Sequence, residues 1–423
     1  MTPKRIDAAA VAGLLRPGLR VFVEGATAEP APLLDALESA PDAASGVEFV
    51  MPAVPGVNGR DLANLHPEAR ALGFFVPPEV RSSFERGRFR HLPMHYAEIW
   101  RYMAKLEPID IALIQVAPPD ATGQCSLGVN ADFATAVLGR AKTVVAEVNA
   151  RMPRCPGAPS MPWQSLAYVV ESDRALPEWS AGALDPEARA IGRHAASLVR
   201  DGDCVQIGIG KPQAAVLAEI GDRRDLGFHS GMLTDAVLDL VERGALTGRK
   251  KTRDVGVMVT GFAVGSARLY DACPRLPIAF REAGYTHDFA TIASIDNFVS
   301  INAALEVDLF GQVNSETLGG RQISGTGGFA DYQRAAASSQ GGRSLVCLPS
   351  SARGGSVSRI VPRLADGIVT GARGDADFVI TEQGVAALRG KTLDERAEAL
   401  VSVAAPAHRR TLIDAWRDIR KRF

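Results

Sequence analysis

The chain has 423 residues, a length that fits two or three domains at about 150 residues each. Hydrophobic residues make up 46% and charged residues 22%, with a mean hydropathy of +0.02, which excludes a mainly disordered chain. The 47 basic side chains nearly cancel the 48 acidic ones, so the charge balance points to no nucleic-acid partner.

The first residues, Ala8-Ala9-Ala10-Val11-Ala12-Gly13-Leu14-Leu15, look superficially like a signal peptide. Asp7 and Arg16 leave too short an apolar stretch, and a first amphipathic helix fits better. No apolar run approaches the ~20 residues that cross a bilayer, so no membrane partner is expected. Residues 20–24 read as a strand, followed by a Gly/Pro turn and a helix around Leu33, Leu34 and Leu37. Residues 109–116 read as a buried strand ending at Pro118-Pro119, and 143–148 as a strand after a helical segment. Strands alternating with helices predict an α/β fold with largely parallel sheets.

The pattern then recurs. Val23 to Pro30, followed by Leu33-Leu34, resembles Ile207-Gly208-Ile209-Gly210-Lys211-Pro212 followed by Ala215-Val216-Leu217: strand, small-residue turn, proline, helix. Asp132-Phe133 and Asp331-Tyr332 each open a helix leading to a strand, near Val144 and near Val346. Two matches in the same order predict two α/β domains of related design, 1–182 and 183–423, joined near the Pro/Gly-containing stretch 174–182. The charged, helical stretch 393–423 is expected to cap the second.

Five scattered cysteines (Cys125, Cys155, Cys204, Cys273, Cys347), none at CxxC spacing, indicate neither a zinc site nor a disulfide framework. A reduced, cytoplasmic protein is expected. His91 and His95 stand four apart, but Pro93 lies between them and no zincin glutamate accompanies them, so no metal is assigned.

The strongest local signal is Ser324-Gly325-Thr326-Gly327-Gly328 before the helix that opens at Asp331. Glycine amides at a helix N-terminus form a nest for a phosphate or a developing oxyanion, and a plain glycine-rich turn is the competing reading. Gly208-Ile209-Gly210-Lys211-Pro212 has the same logic, with a lysine to meet an anion, yet lacks the spacing of a Rossmann fingerprint or a P-loop. His229, in Gly227-Phe228-His229-Ser230-Gly231-Met232, sits in a small-residue turn and reads equally as a site or a structural histidine. The run 249–253 reads as a solvated basic loop.

Several segments together resemble the acetyl-CoA hydrolase/transferase family, the class I CoA-transferases. These are the stretch 118–128, Ala146-Glu147-Val148-Asn149, Asp201 to Gly210, Ser300 to Asn314, the 324–328 turn, Thr381-Glu382-Gln383-Gly384, and Leu388-Arg389-Gly390-Lys391. The resemblance implies two open α/β CoA-transferase (NagB/RpiA-like) domains with the active site in the cleft between them, in a homo-oligomer, dimer or tetramer. It implies acyl-CoA and a short-chain or dicarboxylic acid (itaconate or succinate among them) as substrates, with no tightly bound cofactor. The family's nucleophile is a glutamate that passes through an acyl-glutamyl anhydride and a glutamyl-CoA thioester, chemistry favoured by high effective concentration. The family's His-Ser/Thr-Glu-Met is here His229-Ser230-Gly231-Met232, and Gly231 has no side chain to attack with.

Three readings follow. Another carboxylate takes over, with Glu29 preferred because its turn mirrors 208–212, and with Glu24, Asp61 and Glu147 as alternatives; a glutamate favourable near a helix N-terminus is the competing account of Glu29. Alternatively His229 or a carboxylate directs water at the thioester, giving a hydrolase. The third reading is a non-catalytic acyl-CoA-binding protein. The preferred one is transfer, with Glu29 and His229 catalytic, and Gly208, Gly210, Lys211, Pro212, Gly231, Met232 and Ser324, Gly325, Thr326, Gly327, Gly328 binding the CoA substrate.

Overall fold

The computed structural model describes residues 2–365 and 367–422; Met1, Asp366 and Phe423 lie outside them. The expected alternation of strand and helix is present and builds two principal sheets. Among the described residues the first runs Lys4–Arg5, Tyr168–Ser172, Thr143–Asn149, Ile111–Val116, Arg20–Val23, Glu48–Met51, Arg70–Gly73, Phe89–His91, parallel throughout. The second runs Gly227–Phe228, Cys204–Ile207, Phe298–Ala303, Arg343–Cys347, Phe378–Thr381, Gly384–Ala387, parallel except for the final hairpin. Ile111–Val116 is buried at every position, as a strand covered on both faces requires.

The repeat seen in the sequence reappears as topology. Arg20–Val23 lies between Glu48–Met51 on one side and Ile111–Val116 on the other, and beyond the latter come Thr143–Asn149 and Tyr168–Ser172. In the second half Cys204–Ile207 lies between Gly227–Phe228 and Phe298–Ala303, followed by Arg343–Cys347 and Phe378–Thr381. Each half therefore has a switch point where successive connections leave toward opposite sides of the sheet, and a crevice opens at the carboxyl ends of the strands there.

The halves share an apolar core. Ala28, Val54, Val129 and Met152 from the first pack in one cluster with Phe228, Met232 and Phe262 from the second. Backbones also meet closely: a Cβ on Gly325 would lie 2.0 Å from the Phe74 carbonyl oxygen, so only glycine fits there.

Some elements differ from the expected ones. The first helix, Ala8–Leu14, takes the tighter 3-10 form and buries only Val11 fully, too little of a face to hold an amphipathic α-helix. The helix after Asp132 is a single turn, Ala134–Val137, whereas its counterpart Phe329–Ser338 is full length. The C-terminal stretch divides into Leu393–Ser402 and Pro406–Arg420, because Pro406 cannot continue the preceding helix. All five cysteines are buried and free. Among the described residues no helix is long and apolar enough to cross a membrane, and no metal-ligand cluster occurs.

Candidate active site

Where the halves meet, a cavity of about 340 Å³ opens, within the range of small-ligand sites. Its floor is the switch point of the second sheet: Gln206 to Ile209 and Asn302 to Leu305, at the ends of Cys204–Ile207 and Phe298–Ala303. The first half contributes Val54, Pro55, Phe75 and Tyr96, and the facing wall is Ser324 to Phe329 with Tyr332. Ile209 is 38% exposed and marks the cavity's open side.

The glycine loop is built by its flanks. The amides of Ile323 and Ser324 both donate to the Glu316 carbonyl oxygen, at 2.8 and 3.2 Å, which turns the chain toward the first half. The Gly327 carbonyl accepts from the Tyr96 amide at 3.1 Å, and the φ of Gly327, +56°, is in the left-handed region. Helix Phe329–Ser338 starts immediately after, so its partial positive charge faces the cavity. Gly327 pairs with the backbone at His95 in a short parallel bridge, whereas among the described residues the amides of Gly325, Thr326 and Gly328 have no backbone acceptor. Unpaired amides at a cavity wall suit an oxygen that becomes negative during reaction.

Beside this loop lies Gly231. A Cβ there would stand 2.6 Å from Cε1 and 2.9 Å from Nε2 of His287, so the imidazole occupies the space a side chain at 231 would need. The same ring closes against Gly328, where a Cβ would be 2.5 Å from Nε2. His287 follows the short helix Ala283–Thr286 and is flanked by the tilted rings of Tyr96 and Tyr332, at centroid distances of 4.3 and 4.6 Å. Its Nδ1 is 2.9 Å from Thr286 Oγ1, and burial holds its pKa well below the ordinary histidine value, so the ring is neutral at pH 7.

Among the described residues no aspartate or glutamate lines the cavity. Two carboxylates touch lining residues, Asp132 at Tyr96 and Glu316 at Thr326, and both are engaged. Asp132 accepts a hydrogen bond from the Tyr96 hydroxyl and is raised to about 7 by burial. Glu316 accepts from the Thr370 hydroxyl at 2.9 Å.

The residues expected from the sequence separate into two groups. Gly208, Gly231, Met232, Ser324, Gly325, Thr326, Gly327 and Gly328 all line the cavity. Gly210, Lys211 and Pro212 do not; Lys211 lies in the adjoining turn, half-exposed and 3.4 Å from Asp185. Glu29, expected to face the cleft, is absent from the lining. Arg60 draws it aside with a 3.3 Å contact while also pairing with Asp35 and Glu38, and burial raises the Glu29 pKa.

His229, expected at the reacting centre, is fully buried and outside the lining. Its Nε2 donates to the Thr286 carbonyl at 3.0 Å, and burial lowers its pKa to about 3. It thereby props the segment that carries His287. The other carboxylates are committed as well: Glu24 to the Gln115 amide and Asn130, Asp61 to Ser83, Glu147 to Arg174. The sequence reading missed His287, Tyr96 and Tyr332. The Tyr285-Thr286-His287-Asp288 stretch carries no motif, and only folding places it against Gly231.

Residues 2–177 match the acetyl-CoA hydrolase/transferase N-terminal domain and residues 265–416 the corresponding C-terminal domain. The chain is 38% identical over 407 residues to the 4-hydroxybutyrate coenzyme A transferase of Clostridium kluyveri, covering 96% of this chain and 94% of that one. It is 35% identical to the succinyl-CoA:cyclohexane-1-carboxylate CoA transferase of Geobacter metallireducens, over 83% and 81% of the two chains. The crystal structure of RipA from Yersinia pestis superposes with a TM-score of 0.93 at 32% identity, covering 99% of this chain and 98% of that one. With both family domains matched in order around one interdomain cavity, the chain belongs to the acetyl-CoA hydrolase/transferase family.

Proposed function

We propose that this protein transfers CoA from an acyl-CoA to a small carboxylic acid, short-chain or dicarboxylic, within the interdomain cavity. The observation that carries the reading is the wall of unpaired amides at Gly325, Thr326 and Gly328, at the head of a helix and facing a mostly apolar chamber. Such donors, aimed where a thioester oxygen turns tetrahedral, are each worth about 10²–10³ in kcat. The chamber holds the acyl end, while the turn carrying Gly208, Gly210, Lys211 and Pro212 takes the more distant part of CoA at the open side. Binding energy from that distant part helps hold the thioester against the amides. The same reading makes the protein a reduced, cytoplasmic homo-oligomer, dimer or tetramer, with no tightly bound cofactor.

The test is to incubate the protein with acetyl-, butyryl- or succinyl-CoA and a panel of unlabelled acids, then to identify new thioesters by mass spectrometry. Acceptor-dependent formation of a new acyl-CoA is expected. Steady release of free CoA without any acceptor makes the protein a hydrolase instead, and binding without turnover makes it a binding protein.

A further inference from the structure

We infer that transfer here runs within one ternary complex: the acceptor's own carboxylate attacks the thioester, and the imidazole of His287 donates from Nε2 to the oxygen that becomes negative. The inference rests on the transfer reading above and deepens it.

The geometry leaves no protein carboxylate for a covalent relay. Gly231 has no side chain, the position is closed by His287, and no acidic residue among those described lines the chamber. Asp132 and Glu316 are engaged by Tyr96 and Thr370. What the chamber presents is a neutral imidazole wedged between Gly231 and Gly328, beside the unpaired amides.

The tautomer follows from the neighbours. The Thr286 hydroxyl has one proton and two acceptors in reach, His287 Nδ1 at 2.9 Å and the Glu282 carbonyl at 3.4 Å. We assign that proton to the nearer contact, the Nδ1 lone pair, which puts the ring's own proton on Nε2, on the side of Gly231 and Gly328. Burial among Tyr96, Tyr332 and the glycine loop disfavours an imidazolium, which makes this ring a poor base and a poor nucleophile but leaves its N–H as a donor.

The steps balance without any further reagent. An acceptor carboxylate oxygen bonds to the thioester carbon, the C–S bond breaks, and a mixed anhydride and CoA thiolate result. The thiolate then attacks the acceptor's carbonyl carbon, the anhydride C–O bond breaks, and the donor acid leaves as its carboxylate. No proton is gained or lost, so a neutral hydrogen-bond donor suffices.

The test uses the wild-type protein first. Initial rates with both substrates varied should give intersecting lines, and borohydride added after acyl-CoA alone should leave activity and protein mass unchanged. Parallel lines, with acyl-CoA-dependent inactivation and a mass change, would overturn the inference while leaving CoA transfer standing. Absence of transfer to every acid would overturn both. For His287, the change His287→Ala should lower kcat about 10²–10³-fold, and His287→Gln, which keeps an N–H, should restore part of it. A fully active His287→Ala protein would remove His287 from the reaction.

Discussion

The contact between Gly231 and His287 can be tested by adding one methyl group. Gly231 does not lie in the left-handed region, so its backbone accepts alanine without strain. The added Cβ would nevertheless stand 2.6 Å from His287 Cε1, about 1 Å inside the ~3.5 Å at which carbon atoms pack comfortably. The ring cannot swing aside easily, since Tyr96 and Tyr332 flank it and Gly328 crowds the neighbouring Nε2–Cδ2 edge. Overpacking of this kind costs about 1–3 kcal/mol.

Gly231→Ala should therefore destabilise the protein by that amount in urea unfolding, with the slope unchanged. In a His287→Ala background the same substitution should be nearly neutral. The coupling between the two positions should reach about 1–2 kcal/mol. An equal loss in both backgrounds would show that the imidazole does not occupy the space beside residue 231, and the assignment of His287 to the chamber would fall with it.

Gly231→Glu alone should give little folded, active protein, whereas Gly231→Glu combined with His287→Ala opens room for the carboxylate. That double variant should become sensitive to borohydride after exposure to acyl-CoA, and a mass change should map to residue 231. Glu29→Gln should leave the transfer rate within about twofold, because Glu29 is turned toward Arg60 and away from the chamber; a hundredfold loss would restore it as nucleophile. Glu24 is fully buried and its pKa is raised by burial from 4.5 to about 8. The folded state thus keeps a proton that the unfolded chain releases between those values, so stability falls as pH rises through that window, by at most about 1.4 kcal/mol per pH unit. Glu24→Gln lacks this loss, so its stability relative to wild type should grow from pH 5 to pH 8; parallel pH profiles would contradict the buried, protonated carboxyl.

Much of the frame was legible because it is written in local patterns. The turns at 23–30 and 207–212 announced two halves of one design, and both halves share the same strand order around the switch point. The 324–328 glycines pointed to a wall of the cavity, since close approach to Phe74 and a left-handed φ at Gly327 leave few other residues possible. Long-range pairing was not legible. Glu29 occupies the turn that the repeat suggested, but Arg60 arrives from a later loop and captures its carboxylate. His229 belongs to a motif that reads as catalytic, yet its ring is spent on the Thr286 carbonyl. The residue it supports, His287, has no sequence signature and acquires meaning only through the empty position at Gly231.

Isotope transfer in a single turnover reaches the account's centre most directly. With enzyme in excess over acyl-CoA and an acceptor acid carrying ¹⁸O in both carboxylate oxygens, direct attack delivers one ¹⁸O to the released donor acid on the first turnover. A relay through any protein carboxylate releases that acid without label and leaves the ¹⁸O on the enzyme. Labelled donor acid is the predicted result; unlabelled donor acid with labelled protein would contradict it.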